Sequence, residues 1–390
     1  MKRNRLFPVF IYVILFTSIS FSQEKLPQYS VTNQIPIEEK ITIESKVLKE
    51  NKVINISLPE GYSTNQKKYP VIYMTDGSLL RLRLIRGVVS FLSSEDIKKI
   101  PDAILVGITH SNRIKELTPN DPKQIDFEGK AFDWPNCGGA DQLLNFVKEE
   151  VIPVIESKYR TNLSRIFVGW SVGGLFGLYS MLKDPDLFNA QIAIEPSYWW
   201  KTGAYVDSLI SKLKKNPSYK NVLFLSLLKI HIGPPFSQLN DFMEKRSGKE
   251  FVYNFWELPS EEDHQTSILP GLYKGLTKIF EEYYINNDLS LEEFKKKISQ
   301  PILGAIYVSE SKINDFGYYK LQSNKYDEAI EIFKYNVTLY PNSENVYDSL
   351  AEACMTAGKK ELAIENYNKV LEINPQNSNA AKMLKQLSEK

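Results

Sequence analysis

The stretch that most constrains the fold is RIFVGWSVGGLFGLYS, Arg165–Ser180. A β-type run, Arg165–Gly169, stops at a serine held between glycines, and a helix-like run begins at once. Gly169-Trp170-Ser171-Val172-Gly173 fits the pattern G-x-S-x-G. Small residues at the flanking positions let the backbone turn sharply. The serine oxygen is then exposed at the end of the strand, and the next N–H, that of Val172, faces the space in front of it. Ser171 is therefore a candidate nucleophile and Val172 a candidate oxyanion donor. The structural alternative is a plain glycine turn at a strand–helix junction.

The flanking pattern gives the turn its setting. Tyr69–Gly77, Asp102–Ile108, Ala190–Ser197, Asn221–Ile230 and Glu250–Pro259 read as strands, and residues 41–57 as a strand or hairpin pair. Helical spacing appears at Ala140–Tyr159, from the serine to about Met181, at Tyr205–Lys215, at Phe236–Arg246 and at Ile268–Tyr284. Alternation of this kind over roughly 240 residues predicts an α/β fold, a mostly parallel sheet with helices on both faces.

Beyond Asn287 the strand patterns stop. Gly317, Ala329, Phe333 and Pro341 recur 34 residues later as Ala351, Ala363, Tyr367 and Pro375. Small, small, aromatic and proline residues at that period form the tetratricopeptide pattern, here in two units of which the second fits better. Two units are fewer than usually stand alone, so this part is expected to lean on the α/β domain or on a second copy. The expected organisation is a signal segment (1–22), an α/β domain (23–286), a connector (287–309), and two repeats plus a C-terminal helix (310–390).

A nucleophilic serine needs a base. Where the chain order is serine, acid, histidine, His264 occupies the loop before the last helix of the α/β part and is the candidate base. His231 follows the preceding strand and His110 precedes the serine. The acid is the open member. Glu195 ends the strand Ala190–Ser197 and ranks first; Asp241 ranks second, within a helical pattern. Asp263 adjoins His264 too closely, and a Ser-His dyad is the third alternative. A second oxyanion N–H is expected from the loop Asp76–Leu80, at Gly77 or Ser78; a plain turn is the other reading.

Several separate segments agree in order with one family. PVIYMTDG, ILVGI with NRIKELTP, VGWSVGGLFGLYSMLKDPDLFNAQIAIEPSYWW and EDHQTSILPGLYKGL resemble the esterase D-like α/β-hydrolases, over roughly residues 40–284. The likeness is nearest to the siderophore-esterase-like branch, through Arg113–Pro119 and Pro196–Trp200. The resemblance implies an α/β-hydrolase fold, Ser171 as nucleophile and His264 as base, with some members thought to work as a dyad. It sets Arg113 near the cleft mouth, where a loop salt bridge is the alternative role. Trp170, Trp199 and Trp200 either wall a substrate pocket or pack in the core. Glu195 stands where related sequences often carry serine.

The remaining features bound the class. A net charge of +1 with scattered Lys and Arg gives no footprint for nucleic acid. Lys2, Arg3 and Arg5, the apolar run LFPVFIYVILF, and Ser20 and Ser22 predict a cleaved secretory signal, with an uncleaved anchor as alternative. Cys137 and Cys354 make no disulfide framework. Three histidines, without HExxH or CxxC, predict no metal site and no cofactor. The expectation is a secreted or periplasmic serine esterase that forms an acyl-enzyme from a siderophore or carbohydrate acyl ester. A protein partner or self-association is expected through the repeats. An inactive hydrolase-fold scaffold and an acyltransferase are the alternatives.

Overall fold

Strands buried on both faces of a sheet read as continuous apolar runs, and the central strands here do so. The computed structural model describes residues 38–121, 123–125, 130–216, 219–248, 251–300 and 302–389; the expected signal segment lies outside them. Eight strands form one sheet: β1 (Glu38–Ser45), β2 (Glu50–Ser57), β3 (Tyr69–Met74), β4 (Ile104–Ile108), β5 (Thr161–Trp170), β6 (Ala190–Ile194), β7 (Asn221–Leu227) and β8 (Phe251–Glu257). Their order is β1-β2-β4-β3-β5-β6-β7-β8. β1 and β2 pair antiparallel, β2 meets β4 antiparallel, and every later pairing is parallel. The order reverses between β3 and β5, so the carboxyl ends of those two strands flank the switch point where such sheets hold ligands.

Alternate residues of each strand serve opposite faces. Ile72 and Met74 point into one apolar layer with Leu82, Ile85, Leu272 and Leu276. Val71 and Tyr73 point into the other, with Leu143, Phe146 and Phe176. The helix Leu79–Ser93 belongs to the first layer and has no counterpart in the sequence reading above. Its start, Leu-Leu-Arg-Leu-Arg-Leu, alternates like a strand. Helical burial at Leu82, Ile85, Arg86, Val89 and Leu92 overrides that local pattern.

The tetratricopeptide-like end is a run of consecutive helices: Glu310–Gln322, Tyr326–Leu339, Glu344–Thr356, Lys360–Ile373 and Ser378–Ser388. Its first pair is not separate from the α/β part. Phe294, Val308, Ile313, Phe316 and Ile332 lie in the same apolar cluster as Leu276, Ile279 and Phe280. Each such side chain contributes about 1.5–3 kcal/mol when fully buried. Lys98 and Asp315 pair across this junction at 2.5 Å, and Lys312 Nζ donates to the Lys98 carbonyl. A second cluster, with Ala329, Phe333, Ala351, Ala363 and Tyr367, joins the repeats to each other. These are the residues that set the 34-residue period. Among the described residues no helix is long and apolar enough to cross a membrane.

Candidate active site

β5 ends at Trp170 and a helix starts at Val172, leaving one residue to turn the chain. That residue is Ser171, at φ 59° and ψ −123°. A non-glycine residue there costs about 1–3 kcal/mol, which the surroundings must supply. A Cβ at Gly169 would fall 2.1 Å from the Gly173 carbonyl oxygen, and one at Gly173 2.4 Å from Thr75 Oγ1. The two flanking glycines are thus needed for the close approach that the turn makes. The Ser171 N–H donates to the Ile194 carbonyl at 3.0 Å, and the Ser171 carbonyl accepts from the Ser197 N–H at 3.1 Å. These bonds tie the serine to the loop that carries Glu195.

Glu195 follows β6 at φ 46° and is 3 % exposed. Its Oε1 accepts the Leu228 N–H at 2.5 Å. Its Oε2 accepts from His264 Nδ1 at 3.1 Å and from His231 Nδ1 at 2.5 Å. Burial alone would raise this carboxyl, but the hydrogen bonds from His231, His264 and the Leu228 N–H outweigh it and bring it down to about 2. His264 is held a second way. Its ring lies 4.7 Å from the Trp170 ring, centre to centre, and its carbonyl accepts the Trp170 Nε1–H at 2.9 Å. The residue before the serine therefore carries the histidine, while the acid orients that histidine through Nδ1. Among the described residues no protein hydrogen bond engages its Nε2.

The other acid candidates are placed differently. Asp241 is exposed on the helix Pro234–Arg246 and bonds to none of the histidines. Asp263 accepts the N–H groups of Gln265 and Thr266, which shapes the turn into the helix Ile268–Ile279. Sequence reasoning ranked Glu195 on strand order alone. It gave His231 no place beside the acid, and no local motif marks it.

The two oxyanion candidates of the first loop are otherwise engaged. The Gly77 N–H donates to the Ile108 carbonyl at 2.9 Å and the Ser78 N–H to the Asp76 carbonyl at 2.8 Å. The Ser78 side chain caps the helix Leu79–Ser93. The expectation that Gly77 or Ser78 supplies the second donor is thus at odds with the bonds both groups make. Val172 opens its helix, where the N–H groups of the first turn have no intrahelical acceptor.

Arg113 grips Asp76 with two bonds, Nε to Oδ1 at 2.5 Å and a terminal nitrogen to Oδ2 at 2.8 Å, and also reaches the Trp170 carbonyl at 3.2 Å. Arg81 joins Asp76 at 3.3 Å. Both guanidinium groups lie over the Trp170 ring, at 4.8 Å for Arg81 and 5.5 Å for Arg113. Arg113 therefore makes a loop ion pair and also packs over the Trp170 ring. Trp199 packs against Trp134 and Trp200, and Trp200 is fully buried. The cysteines Cys137 and Cys354 are free.

With this geometry in view, the likeness to known proteins has a physical meaning. The Esterase family model matches residues 45–227, the span from β1 through β7 that carries Ser171 and Glu195, and a tetratricopeptide repeat model matches residues 344–377. The chain is 32 % identical over 168 residues to the ferri-bacillibactin esterase BesA of Bacillus subtilis, covering 40 % of this chain and 58 % of that one. A crystal structure of an IroE-like serine hydrolase from Shewanella oneidensis is 27 % identical with a TM-score of 0.62, covering 76 % of this chain and 96 % of that one. An uncharacterised protein from Capnocytophaga ochracea superposes with a TM-score of 0.64 at 16 % identity, over 90 % of this chain and 100 % of that one. That likeness is one of fold. The chain spans about half the length of the curated relatives it matches, 52–58 %.

Proposed function

We propose that this chain is a serine esterase of the periplasm or cell exterior that hydrolyses a carboxylic ester through an acyl-enzyme. The observation that carries the reading is the Glu195 carboxylate on His264 Nδ1, beside a serine held at positive φ. In this reading Ser171 Oγ attacks the ester carbonyl carbon. His264 Nε2 takes the hydroxyl proton, and Glu195 holds the imidazole in the needed tautomer and stabilises its charged form. The Val172 N–H receives the developing oxyanion. The protonated His264 then gives its proton to the departing alcohol oxygen. A water molecule, activated by the same nitrogen, releases the acyl group and frees Ser171.

The substrate class that we favour is a siderophore ester, supported by the named activity of the Bacillus subtilis relative. Arg81, which meets Asp76 at 3.3 Å and lies over the Trp170 ring, suits a substrate with an anionic part. A carbohydrate acyl ester is the competing substrate. The basic start and apolar run at the N-terminus support export.

Fluorophosphonate labelling tests the nucleophile: the wild type is expected to label and Ser171→Ala not to. Absence of labelling in the wild type, or equal labelling of Ser171→Ala, overturns the reading. A panel of triscatechol lactone, feruloyl and acetyl-sugar esters ranks the substrates. The lactone is expected to turn over fastest, and a faster acetyl-sugar reaction moves the assignment to carbohydrate esters.

A further inference from the structure

Two of the chain's three histidines meet on one carboxylate. Acyl transfer by serine needs one imidazole on the acid, and His264 fills that place. His231 is the closer of the two to Glu195, at 2.5 Å against 3.1 Å, and the proposed hydrolysis gives it no task. One ligand atom from each of Glu195, His231 and His264 falls within 4.8 Å of the other two. The sequence, with only three histidines, pointed to no metal site; the fold gathers two of them.

We propose that Glu195, His231 and His264 form a site for a divalent transition-metal ion of the zinc class, and that its occupancy switches the esterase off. The proposal rests on the reading of His264 as the base. Two imidazole nitrogens and one carboxylate oxygen suit a borderline-soft ion, and they disfavour calcium or magnesium, which take oxygen ligands. A tetrahedral ion with bonds of about 2.1 Å sets its ligand atoms roughly 3.4 Å apart. His264 then moves out by a few tenths of an ångström and His231 by about 1 Å. The Trp170 contacts hold His264 nearly in place, so the larger shift falls to His231. His231 closes the short turn Lys229–His231, and His264 sits in the loop before the helix Ile268–Ile279. Their side chains are 16 % and 32 % exposed, whereas that of Glu195 is 1 % exposed, so solvent reaches the site through the two histidines. The Leu228 N–H fixes Oε1 and leaves Oε2 to the ion.

The switch follows from the imidazole tautomer. In the hydrolytic state His264 carries its proton on Nδ1, facing Glu195, and Nε2 has the lone pair that accepts the Ser171 proton. An ion on Nδ1 displaces that proton to Nε2. The ring stays neutral, no bond in the chain is made or broken, and no electron moves. Nε2 now bears hydrogen and cannot act as a base. Metal binding and proton abstraction therefore exclude each other at one ring.

The test titrates the full chain with Co2+, whose tetrahedral complexes absorb in the visible, while hydrolysis of an aryl acetate is followed in parallel. One equivalent of Co2+ is expected to bind, Zn2+ to displace it, and hydrolysis to fall as either ion binds and recover with a chelator. His231→Gln and Glu195→Gln are each expected to lose the absorption, and His110→Gln to keep it. Whatever hydrolysis His231→Gln retains is expected to lose its sensitivity to Zn2+. No absorption with the wild type, or unchanged absorption with His231→Gln, overturns the site. Absorption that depends on His231 without any effect on hydrolysis overturns the switch. If the wild type hydrolyses no ester and yet binds Co2+ through His231, the metal site is supported and the esterase reading fails.

Discussion

Of the three histidine–carboxylate pairs among the described residues, two are nearly alike on one side and opposite on the other. His264 gives Nδ1 to Glu195 at 3.1 Å, and His110 gives Nδ1 to Glu116 at 2.8 Å. Burial opposes ionisation at both acids, and histidine and backbone hydrogen bonds overcome it, bringing each carboxyl to about 2. The far nitrogens differ. His110 Nε2 accepts the Asp76 N–H at 3.1 Å and pins the loop that Arg113 grips. Its side chain is 4 % exposed, against 32 % for His264, whose ring lies on Trp170 beside the serine. A histidine on a carboxylate is therefore no signature of catalysis by itself. What the far nitrogen meets decides between a brace and a base.

Four measurements can break or sharpen this contrast. The largest expected effect is on turnover of an aryl ester by the histidine variants. His264→Gln is expected to lose roughly 10⁶-fold in kcat, as when the base of a serine hydrolase is removed, and His110→Gln less than about tenfold. Comparable losses would make His110 part of the chemistry. The acids come next. Glu195→Gln removes the acceptor that sets the His264 tautomer and is expected to cost roughly 10⁴-fold in kcat, with Glu116→Gln within about tenfold of wild type. A Glu195→Gln enzyme of near wild-type rate would mean a dyad.

Stability reverses the ranking. Lys52 is 1 % exposed and its Nζ lies 2.7 Å from Glu116 Oε2. Glu116→Gln leaves that buried cation with Glu50, 3.0 Å away and partly exposed, and is expected to lower the unfolding free energy by about 3 kcal/mol. Urea denaturation checks it, and a loss under about 1 kcal/mol would show that Glu50 holds Lys52 unaided.

How much of this the sequence revealed follows the range of each interaction. The turn at Ser171 was legible because strand, glycines and helix are neighbours in the chain. The 34-residue period was legible because each repeat packs on the next. The brace was not, since Lys52, Asp76, His110 and Glu116 come from β2, the loop after β3, the loop after β4 and the short helix Arg113–Leu117 that follows it, and only sheet order brings them together. His231 was seen as a residue past a strand, but its place on Glu195 depends on β6 and β7 being adjacent. The helix Leu79–Ser93 was hidden by a local alternation that burial overrides. The seating of the first helical pair depends on a face of Phe316 and Ile332 that no repeat pattern records.

The smallest effect is the dependence of stability on acid. Both carboxyls lie near 2 in the folded chain, against an ordinary value of 4.5. A depressed value means that the unfolded chain binds the proton more tightly, so stability rises with pH across that interval. The contribution of each pair is complete above about 4.5 and is lost as pH falls toward 2. The unfolding free energy of the wild type, measured in urea from pH 5 to pH 2, is therefore expected to fall more steeply than that of Glu116→Gln or Glu195→Gln, each of which lacks one titrating group. Brace and base should be indistinguishable here, because the acid and Nδ1 are built alike in both. A Glu116→Gln curve parallel to the wild type while Glu195→Gln is flatter would show that the brace acid is not held low by its histidine, and that the two pairs differ on the near side of the ring as well as the far one.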